Sequence, residues 1–260
     1  GGLQPVDLVA LCEVENDSVI HFLCRRTRLA RLGYEYLVTH SADRRGIDVA
    51  LLYQPETFAL LHSETYRVPY DSLRERPTRD LLHAAGRLPF GDTLDVFVVH
   101  FPSRRGGATL SEPYRLRAAG ILRHLADSIA RCRHTPRLLA MGDFNDEPHN
   151  ASVSRVLAPT FAELTSHATP LPAEGHDDIE GSYYFRGEWS RIDQILVSPA
   201  LLSPTMRFHT TLQSVHLLAF PPLLEPLGRG TLSKPFRTYL GPFYHGGISD
   251  HLPLCVDFSY

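Results

Sequence analysis

Short apolar runs recur along this chain and alternate with turn residues. They are rich in Val, Ile, Leu and Phe, which is typical of β-strands. The pattern predicts strands at 6–11, 47–53, 58–65, 94–100, 137–141, 192–197 and 254–258. Gly91-Asp92 lies between two such runs and predicts the turn of a β-hairpin.

Two segments have the helical period instead. In 18–32 the apolar side is formed by Val19, Phe22, Leu23 and Leu29. In 112–132 the apolar stripe consists of Leu116, Ala119, Ile121, Leu122, Leu125 and Ile129. Many strands with few helices predict an α+β fold in which two sheets pack together under outer helices.

The length of 260 residues suits one large domain, and we expect a single domain over 1–260. The segment at about 198–247 mixes apolar and aromatic residues, so it is expected to be an ordered insertion. With 43% hydrophobic and 21% charged residues, the chain is not of the disordered or coiled-coil class. Its apolar runs are too short to cross a bilayer, so no membrane span is predicted.

The charge balance constrains the partners. With 26 basic and 29 acidic residues, the net charge of -3 excludes a strongly basic nucleic-acid coat but leaves room for a local basic groove. Lys234 is the only lysine, so the basic side chains are arginines, whose forks match phosphate oxygens in pairs. The competing interpretation is a proteome-wide codon bias toward arginine, with these charges mostly on solvated faces. The four cysteines lack C-x-x-C spacing, which argues against a thiolate zinc site.

Polar side chains of the kinds used in catalysis and metal binding follow or precede five of the apolar runs. They are Glu13, His100, Asp143 with Asn145, Asp193, and Asp250 with His251. Each alone has an ordinary explanation, such as a solvated acid at a strand end or an Asx turn. Together they offer hard-cation ligands and an acid–base histidine, for which Asp193 is the obvious carboxylate partner.

The ordered set resembles the endonuclease/exonuclease/phosphatase superfamily, which includes DNase I-like nucleases, sphingomyelinases and inositol-polyphosphate phosphatases. The resemblance rests on Leu11-Cys12-Glu13-Val14, His100-Phe101-Pro102-Ser103, Gly142-Asp143-Phe144-Asn145, Arg191-Ile192-Asp193 and Ser249-Asp250-His251. It extends from position 6 to position 258, and the five motifs in this order are far more specific than any one of them. It implies a four-layer α/β/β/α sandwich with two packed mixed sheets.

The resemblance also implies hydrolysis of a phosphate ester with a divalent metal, Mg²⁺ or in its place Mn²⁺. Under it, Glu13 and Asp250 are the expected metal-binding acids. Asp143 and Asn145 would orient the attacking water and contact the phosphate. The His251–Asp193 pair would activate or position water on the side of the phosphate opposite the metal, and His100 would steady the phosphate or the leaving group. A serine hydrolase is the rival chemistry, but the chain has no G-x-S-x-G elbow.

Several residues near these motifs are candidate substrate contacts. They are Ser103, Arg104, Arg105, Arg115, Tyr183 and Arg237. The first three belong to a glycine-containing loop that could clamp a phosphate, Arg115 opens the following helix, and the aromatic ring could stack on a base. Solvated arginines and core aromatics are the plain alternative.

The sequence therefore predicts an enzyme that hydrolyses phosphodiester bonds, and the first candidate is a nuclease acting on DNA or RNA. A phosphatase or phosphodiesterase acting on a small molecule or lipid headgroup is the alternative, and a non-catalytic binding module is the alternative from another class. Family members usually begin with a strand that carries an asparagine near the metal. That strand is expected to be missing from this chain, which begins at Gly1.

Overall fold

The computed structural model describes residues 5–70, 77–172, 178–227 and 232–260. Over these residues the chain forms two α-helices, α1 (Asp17–Arg26) and α2 (Ala108–Cys132), with short 3-10 and π-helical turns. The strands are β1 Leu8–Val14, β2 Glu35–Val38, β3 Asp48–Tyr53, β4 Ala59–Tyr66, β5 Leu81–Arg87, β6 Thr93–His100, β7 Leu138–Asp143, β8 Ala162–Glu163, β9 Thr169–Leu171, β10 Tyr183–Phe185, β11 Glu188–Ser190, β12 Asp193–Val197, β13 Val215–Leu218, β14 Leu224–Pro226, β15 Ser233–Pro235, β16 Tyr239–Leu240, β17 Phe243–Tyr244 and β18 Leu254–Val256. All seven predicted strands are present, within three residues of the expected bounds.

The fold is a layered α+β sandwich, as predicted. One layer is a mixed six-stranded sheet in the order β4-β5-β6-β7-β12-β8, and the facing layer consists of two three-stranded sheets, β1-β3-β2 and β18-β13-β9. The main core lies between these layers and includes Val49, Leu51, Val96 and Val98. A second core packs α2 on the six-stranded sheet, and a third packs α1 on the β1-β3-β2 sheet. These contacts give the order helix, sheet, sheet, helix.

The pairing register of three central strands determines where polar residues meet. β6 and β7 are parallel, so both end at the same edge of the sheet, where His100 pairs with Asp143. β12 runs antiparallel to β7 and begins at that edge, where Asp193 pairs with Asp143. Three of the predicted site residues therefore stand side by side in one row.

The first helix differs from its prediction. It ends at Arg26, because Thr27 is extended and its hydroxyl accepts from the backbone NH of Leu29, which starts a separate 3-10 turn over 28–32. Its buried residues are Ile20 and Cys24, whereas Val19 and Phe22 of the predicted apolar side are 44% and 61% exposed. The stripe spaced by four residues faces the sheet, so the predicted face was wrong for these two side chains. In α2, by contrast, Ala119 and Leu122 of the predicted stripe are buried.

The segment 198–247 contributes to the sheets as well as to the surface. It supplies β13, the middle strand of the β18-β13-β9 sheet, in which Val215 and Leu217 are buried. Its later part forms the small β14-β15 and β16-β17 pairs. Positions 228–231 of this segment lie outside the described residues. A single domain with an insertion here stays a prediction. Within the described residues, no helix is long and apolar enough to cross a membrane.

Gly142 permits the close approach of β6 and β7 beside the polar row. Its φ is +138°, and a Cβ built on it would lie 2.0 Å from the carbonyl oxygen of Val99. A side chain at this position would therefore push the two strands apart just before His100 and Asp143. Only glycine fits without moving the backbone.

We predict that Gly142→Ala destabilises the protein by about 3 kcal/mol or more, because backbone strain and steric overlap add. Urea unfolding of the purified variant measures the change. The matched control is Gly120→Ala in α2, where an added Cβ meets nothing within 4 Å. That control should gain about 0.5–1 kcal/mol from helix propensity. Equal stabilities of the two variants would contradict the prediction.

Candidate active site

The centre of the candidate site is the row of His100, Asp143 and Asp193. His100 and Asp143 are buried, and His100 Nε2 lies 3.4 Å from Asp143 Oδ2. Because backbone pairing holds both residues, this geometry does not depend on flexible loops. The sheet edge thus presents one imidazole and two carboxylates to the same space.

Asn145 holds the Asp143 carboxylate in place. Its backbone NH donates to Asp143 Oδ1 at 2.8 Å, and its side-chain amide donates to Asp143 Oδ2 at 3.1 Å and to the carbonyl of Phe101 at 3.0 Å. Both amide hydrogens are therefore committed within the protein, and the predicted contact of Asn145 with a phosphate is left to its Oδ1 atom. Its φ of 50° is unusual for a residue other than glycine, and such conformations concentrate at functional sites.

His251 and Asp193 form the predicted pair. The distance from His251 Nδ1 to Asp193 Oδ2 is 2.7 Å, and the hydroxyl of Ser182 donates to the same carboxylate oxygen. Sequence reasoning missed Ser182, which carried no signal beyond its place before β10. Tyr183 covers the histidine, with ring centroids 4.7 Å apart, and its backbone pairs with that of His251. These contacts fix the orientation of the imidazole.

The environment drives the ionisable groups in opposite directions. Burial lowers the pKa of His251, but the neighbouring carboxylates of Asp193, Asp143 and Asp250 outweigh it and raise the pKa to about 10. Burial and the charge of Asp193 raise the pKa of Asp143. Burial, with the nearby guanidinium groups of Arg79 and Arg45, lowers the pKa of His100 well below its ordinary value. At neutral pH His251 is therefore an imidazolium, and His100 is neutral.

The donor atoms fit a divalent cation in part. Asp143, Asp193 and His251 each offer one ligand atom, and these atoms lie within 4.8 Å of one another. However, the 2.7 Å between His251 and Asp193 is a hydrogen-bond distance, shorter than the ~3 Å between neighbouring ligands of one small cation. The pair therefore remains an acid–base pair, and Asp143 is the oxygen donor that this cluster leaves for a cation. Crowding of two carboxylates in a buried place is the setting in which a cation is most favourable.

The two predicted metal ligands, Glu13 and Asp250, lie outside that three-residue cluster. Glu13 occupies a bulge of β1, with φ of 58°, and its carboxylate is paired with Arg45. The preceding Cys12 is half-buried, and desolvation together with the charge of Asp143 raises the pKa of its thiol. The end of β1 is thus adjacent to the row, but a cation on Glu13 would have to displace Arg45.

Two of the predicted substrate contacts have structural roles. Arg115 is 2% exposed and forms an ion pair with Asp146 at 2.7 Å, so the expectation that it lies at the substrate rim was wrong. From α2, the Arg115 side chain reaches the loop that follows β7, where the buried Asp146 carboxylate needs a counter-charge. Arg104 donates to the carbonyl of Asn145 at 2.7 Å and to Asn150 Oδ1 at 2.8 Å, and so holds the same loop.

The other substrate candidates lie beside the site. Arg237 stacks on Tyr183, with its guanidinium carbon 5.4 Å from the ring centroid, and donates to the carbonyl of Tyr184. Ser103 and Arg105 line a cleft on the opposite side of the row. Arg79 lines that cleft too, and sequence reasoning missed it because an arginine before a strand usually marks a solvated surface.

Known proteins were compared with the chain by sequence and by structure. A family model described as "Endonuclease/Exonuclease/phosphatase family" matches residues 1–259. No curated protein sequence matches significantly.

Solved structures share the fold at low sequence identity. The human Nocturnin catalytic domain with bound sulfate anion is 19% identical, with a TM-score of 0.63, and the match covers 97% of this chain and 80% of that one. Danio rerio TDP2 complexed with a single-strand DNA product is 17% identical, with a TM-score of 0.62 and coverage of 98% and 86%. A mannosyl-6-phosphatase from Bacteroides thetaiotaomicron is 15% identical, with a TM-score of 0.60 and coverage of 98% and 85%.

We predict that Arg115→Leu costs about 3–5 kcal/mol of stability, because it removes the closer of the two guanidinium groups that neutralise the buried Asp146 carboxylate and leaves only Arg104 at 3.6 Å. The double variant Arg115→Leu/Asp146→Leu should recover part of this loss. Urea unfolding measures both.

The control on the same helix is Arg123→Leu. Arg123 forms an exposed ion pair with Asp127, with Nε 3.4 Å from Oδ2. This substitution should cost about 0.5 kcal/mol or less. A stable Arg115→Leu protein with a raised KM would instead return Arg115 to the substrate contacts.

Proposed function

The chain belongs to the endonuclease/exonuclease/phosphatase family, and on that premise we propose that it is a divalent-metal-dependent hydrolase of phosphodiester bonds, with nucleic acid as its substrate. The observation that carries the proposal is the row of Asp143 and Asp193 with His251 bound to it. It combines a carboxylate of raised pKa with a histidine of raised pKa in one buried edge. Groups whose pKa values are displaced in this way are typical of acid–base sites.

The pKa directions assign the roles of the two groups. Asp143 is the residue that positions and polarises the attacking water, because its raised pKa brings it closer to neutrality. The His251 imidazolium, kept charged by Asp193, donates to a phosphoryl oxygen or to the departing oxygen as negative charge grows. This differs from the expectation that the His251–Asp193 pair activates water, since a protonated ring cannot accept a proton.

His100 and Asn145 complete the site. The neutral His100 ring neighbours Asp143 without adding charge, and Asn145 keeps the carboxylate from rotating. Both are therefore proposed to stabilise the reacting arrangement. Fixed dipoles of this kind lower the barrier because they need not reorganise during the reaction.

The proposed cofactor is Mg²⁺, with Mn²⁺ as a substitute. Glu13 and Asp250 are proposed to hold it, and Asp143 is a further oxygen donor available at this edge. Such a cation would neutralise phosphate charge and polarise a phosphoryl oxygen. Carboxylate oxygens are the ligands that these hard cations prefer.

Aromatic and arginine side chains next to His251 support nucleic acid as the substrate class. Tyr183 carries Arg237 on its ring, and the neighbouring Phe185 is exposed with Arg186 5.2 Å from its centroid. Aromatic rings stack on bases, and guanidinium groups bind the backbone between them. The similar TDP2 structure holds a single-strand DNA product.

A phospholipid headgroup is the second candidate substrate. The β16-β17 hairpin, close in sequence to Arg237, exposes four apolar or aromatic side chains by 42–75%. These are Tyr239, Leu240, Phe243 and Tyr244. Exposed apolar groups of this kind are typical of surfaces that enter a membrane interface. A non-catalytic module is disfavoured by the intact set of Asp143, Asp193 and His251.

We predict metal-dependent nicking of supercoiled plasmid, abolished by EDTA. His251→Ala should lower the rate about 10²–10⁴-fold, since it removes the acid that stabilises the departing charge. Its melting temperature should change little, because the ring is only partly buried. The matched control is His134→Ala, an exposed histidine before β7, at the end of that strand remote from the site.

The same proteins assayed on phosphatidylcholine vesicles distinguish the second candidate. Headgroup release without nicking would move the assignment to a phospholipid. Inactivity toward both substrates and toward a simple phosphodiester, in a folded protein, would favour the binding module.

We predict that Mg²⁺ binding measured by calorimetry weakens about tenfold or more in Glu13→Gln, because a carboxylate ligand is lost. Arg45→Gln should strengthen binding, since Arg45 no longer competes for Glu13. The control is Glu15→Gln, an exposed glutamate two residues further on. If Asp143→Asn abolishes binding while Glu13→Gln leaves it intact, the cation belongs to the buried cluster instead.

A further inference from the structure

A cleft of about 440 Å³ opens on the side of the row opposite Tyr183. Its polar lining is dominated by arginine, and we call it the arginine cleft. The residues that define it are Arg44, Arg45, Arg79, Arg105, Thr78 and Ser103. Asp43 is the acid among the residues that line it.

Arg79 forms the floor of the cleft and is held firmly. Its side chain is 6% exposed, with Nη1 3.3 Å from Asp43 Oδ2 and Nη2 donating to the carbonyl of Phe101. Its Nε atom and the hydroxyl of Thr78 are buried with no hydrogen-bond partner among the described residues. Unpaired buried donors are costly, so they indicate a ligand that supplies the missing acceptors.

The cleft is adjacent to the catalytic row. The carbonyl oxygen of Phe101 accepts hydrogen bonds from both Arg79 and Asn145. One backbone atom thus connects the floor of the cleft to the side chain that orients Asp143. Moreover, Arg79 and Arg45 are near enough to lower the pKa of His100. A group bound in the cleft would lie next to a phosphodiester bound at the row.

The charge of the cleft opposes that of the whole protein. The chain has a net charge of -3, yet five arginines and one aspartate line the cleft. Concave surfaces concentrate the field of such charges and favour anions. A guanidinium presents parallel N–H donors that match two oxygens of one phosphate. The chemistry therefore fits a phosphate group better than a carboxylate or a neutral sugar.

We propose that the arginine cleft binds a second phosphate group of the substrate, adjacent to the phosphodiester that is cleaved. This inference rests on the proposed function and narrows the substrate class. The substrate is a nucleic acid of which the protein binds at least two consecutive phosphates. Ser103 and Arg105 line the cleft and follow His100 in the chain, which ties this part of the cleft to the end of β6. Arg44 and Arg79 then hold the outer phosphate from two sides.

The test compares dinucleotides that carry a terminal phosphate at the 5′ end, at the 3′ end or at neither end. For the wild-type protein, kcat/KM should be about tenfold higher with one of the terminal phosphates, as expected for a charge-assisted contact. Arg44→Gln and Arg105→Gln, both exposed positions, should each remove most of this preference. Arg79 is avoided because its substitution could unfold the loop.

The matched control is Arg131→Gln, an exposed arginine in the last turn of α2. It lies about 30 Å along the helix from Ser111, the α2 residue that also lines the cleft. It should keep the preference. Equal rates on all three dinucleotides, or a preference that survives in both cleft variants, would overturn the proposal.

Binding without turnover separates this proposal from the proposed function. Calorimetry with inorganic pyrophosphate should show binding to the wild-type protein and to His251→Ala, and about tenfold or weaker binding to Arg44→Gln/Arg105→Gln. Binding in a protein that hydrolyses no phosphodiester would sink the nuclease assignment and leave an anion-binding cleft. Absence of pyrophosphate binding overturns the cleft whatever the hydrolysis assays show.

Discussion

The close pairing of β6, β7 and β12 is the constraint on which the site depends. Their register places His100, Asp143 and Asp193 in one row, and Gly142 allows the backbones to approach closely enough for it. The cores on both faces of this sheet hold the strands rigidly, because tightly packed interiors deform little. Backbone hydrogen bonds therefore specify the position of the acidic groups, and side chains from loops only adjust them.

Placing acids side by side in a buried edge has an electrostatic consequence. Burial, together with the repulsion from Asp193, raises the pKa of Asp143, and the carboxylates attract a proton to His251. Such repulsion between buried carboxylates would only destabilise a core without a function. Here it creates an acid, His251, and a base, Asp143, close enough to act on one substrate. Asn145 and Ser182 stabilise this arrangement by donating hydrogen bonds to the two carboxylates. Both carboxylates thus accept hydrogen bonds, whereas His100 Nδ1 is buried with no partner among the described residues. The charges of the carboxylates and of His251 remain available to a cation or a phosphate.

Burial divides the arginines of this chain into two groups. Arg115 and Arg104 support the loop after β7, where they neutralise Asp146 and bind backbone carbonyls. Arg44 and Arg105 are exposed and face a cleft next to the row. Arg79 shares features of both groups. It is buried like Arg115, yet it lines the cleft and its Nε has no hydrogen-bond partner among the described residues. One residue type thus builds the site and offers anion contacts beside it.

The sequence by itself determined the strands, the α+β layering and the five ordered polar motifs, because strand periodicity and short motifs are local properties. It also paired His251 with Asp193, a pairing that the structure confirms at 2.7 Å. It did not determine the buried face of α1, the interior position of Arg115 or the partner of Glu13, since each depends on which element packs against it. Arg79 shows this most clearly: its burial and its unpaired Nε arise only when the segment before β5 packs against the carbonyl of Phe101. Local pattern therefore specified the chemical groups, and tertiary packing decided which of them face a substrate.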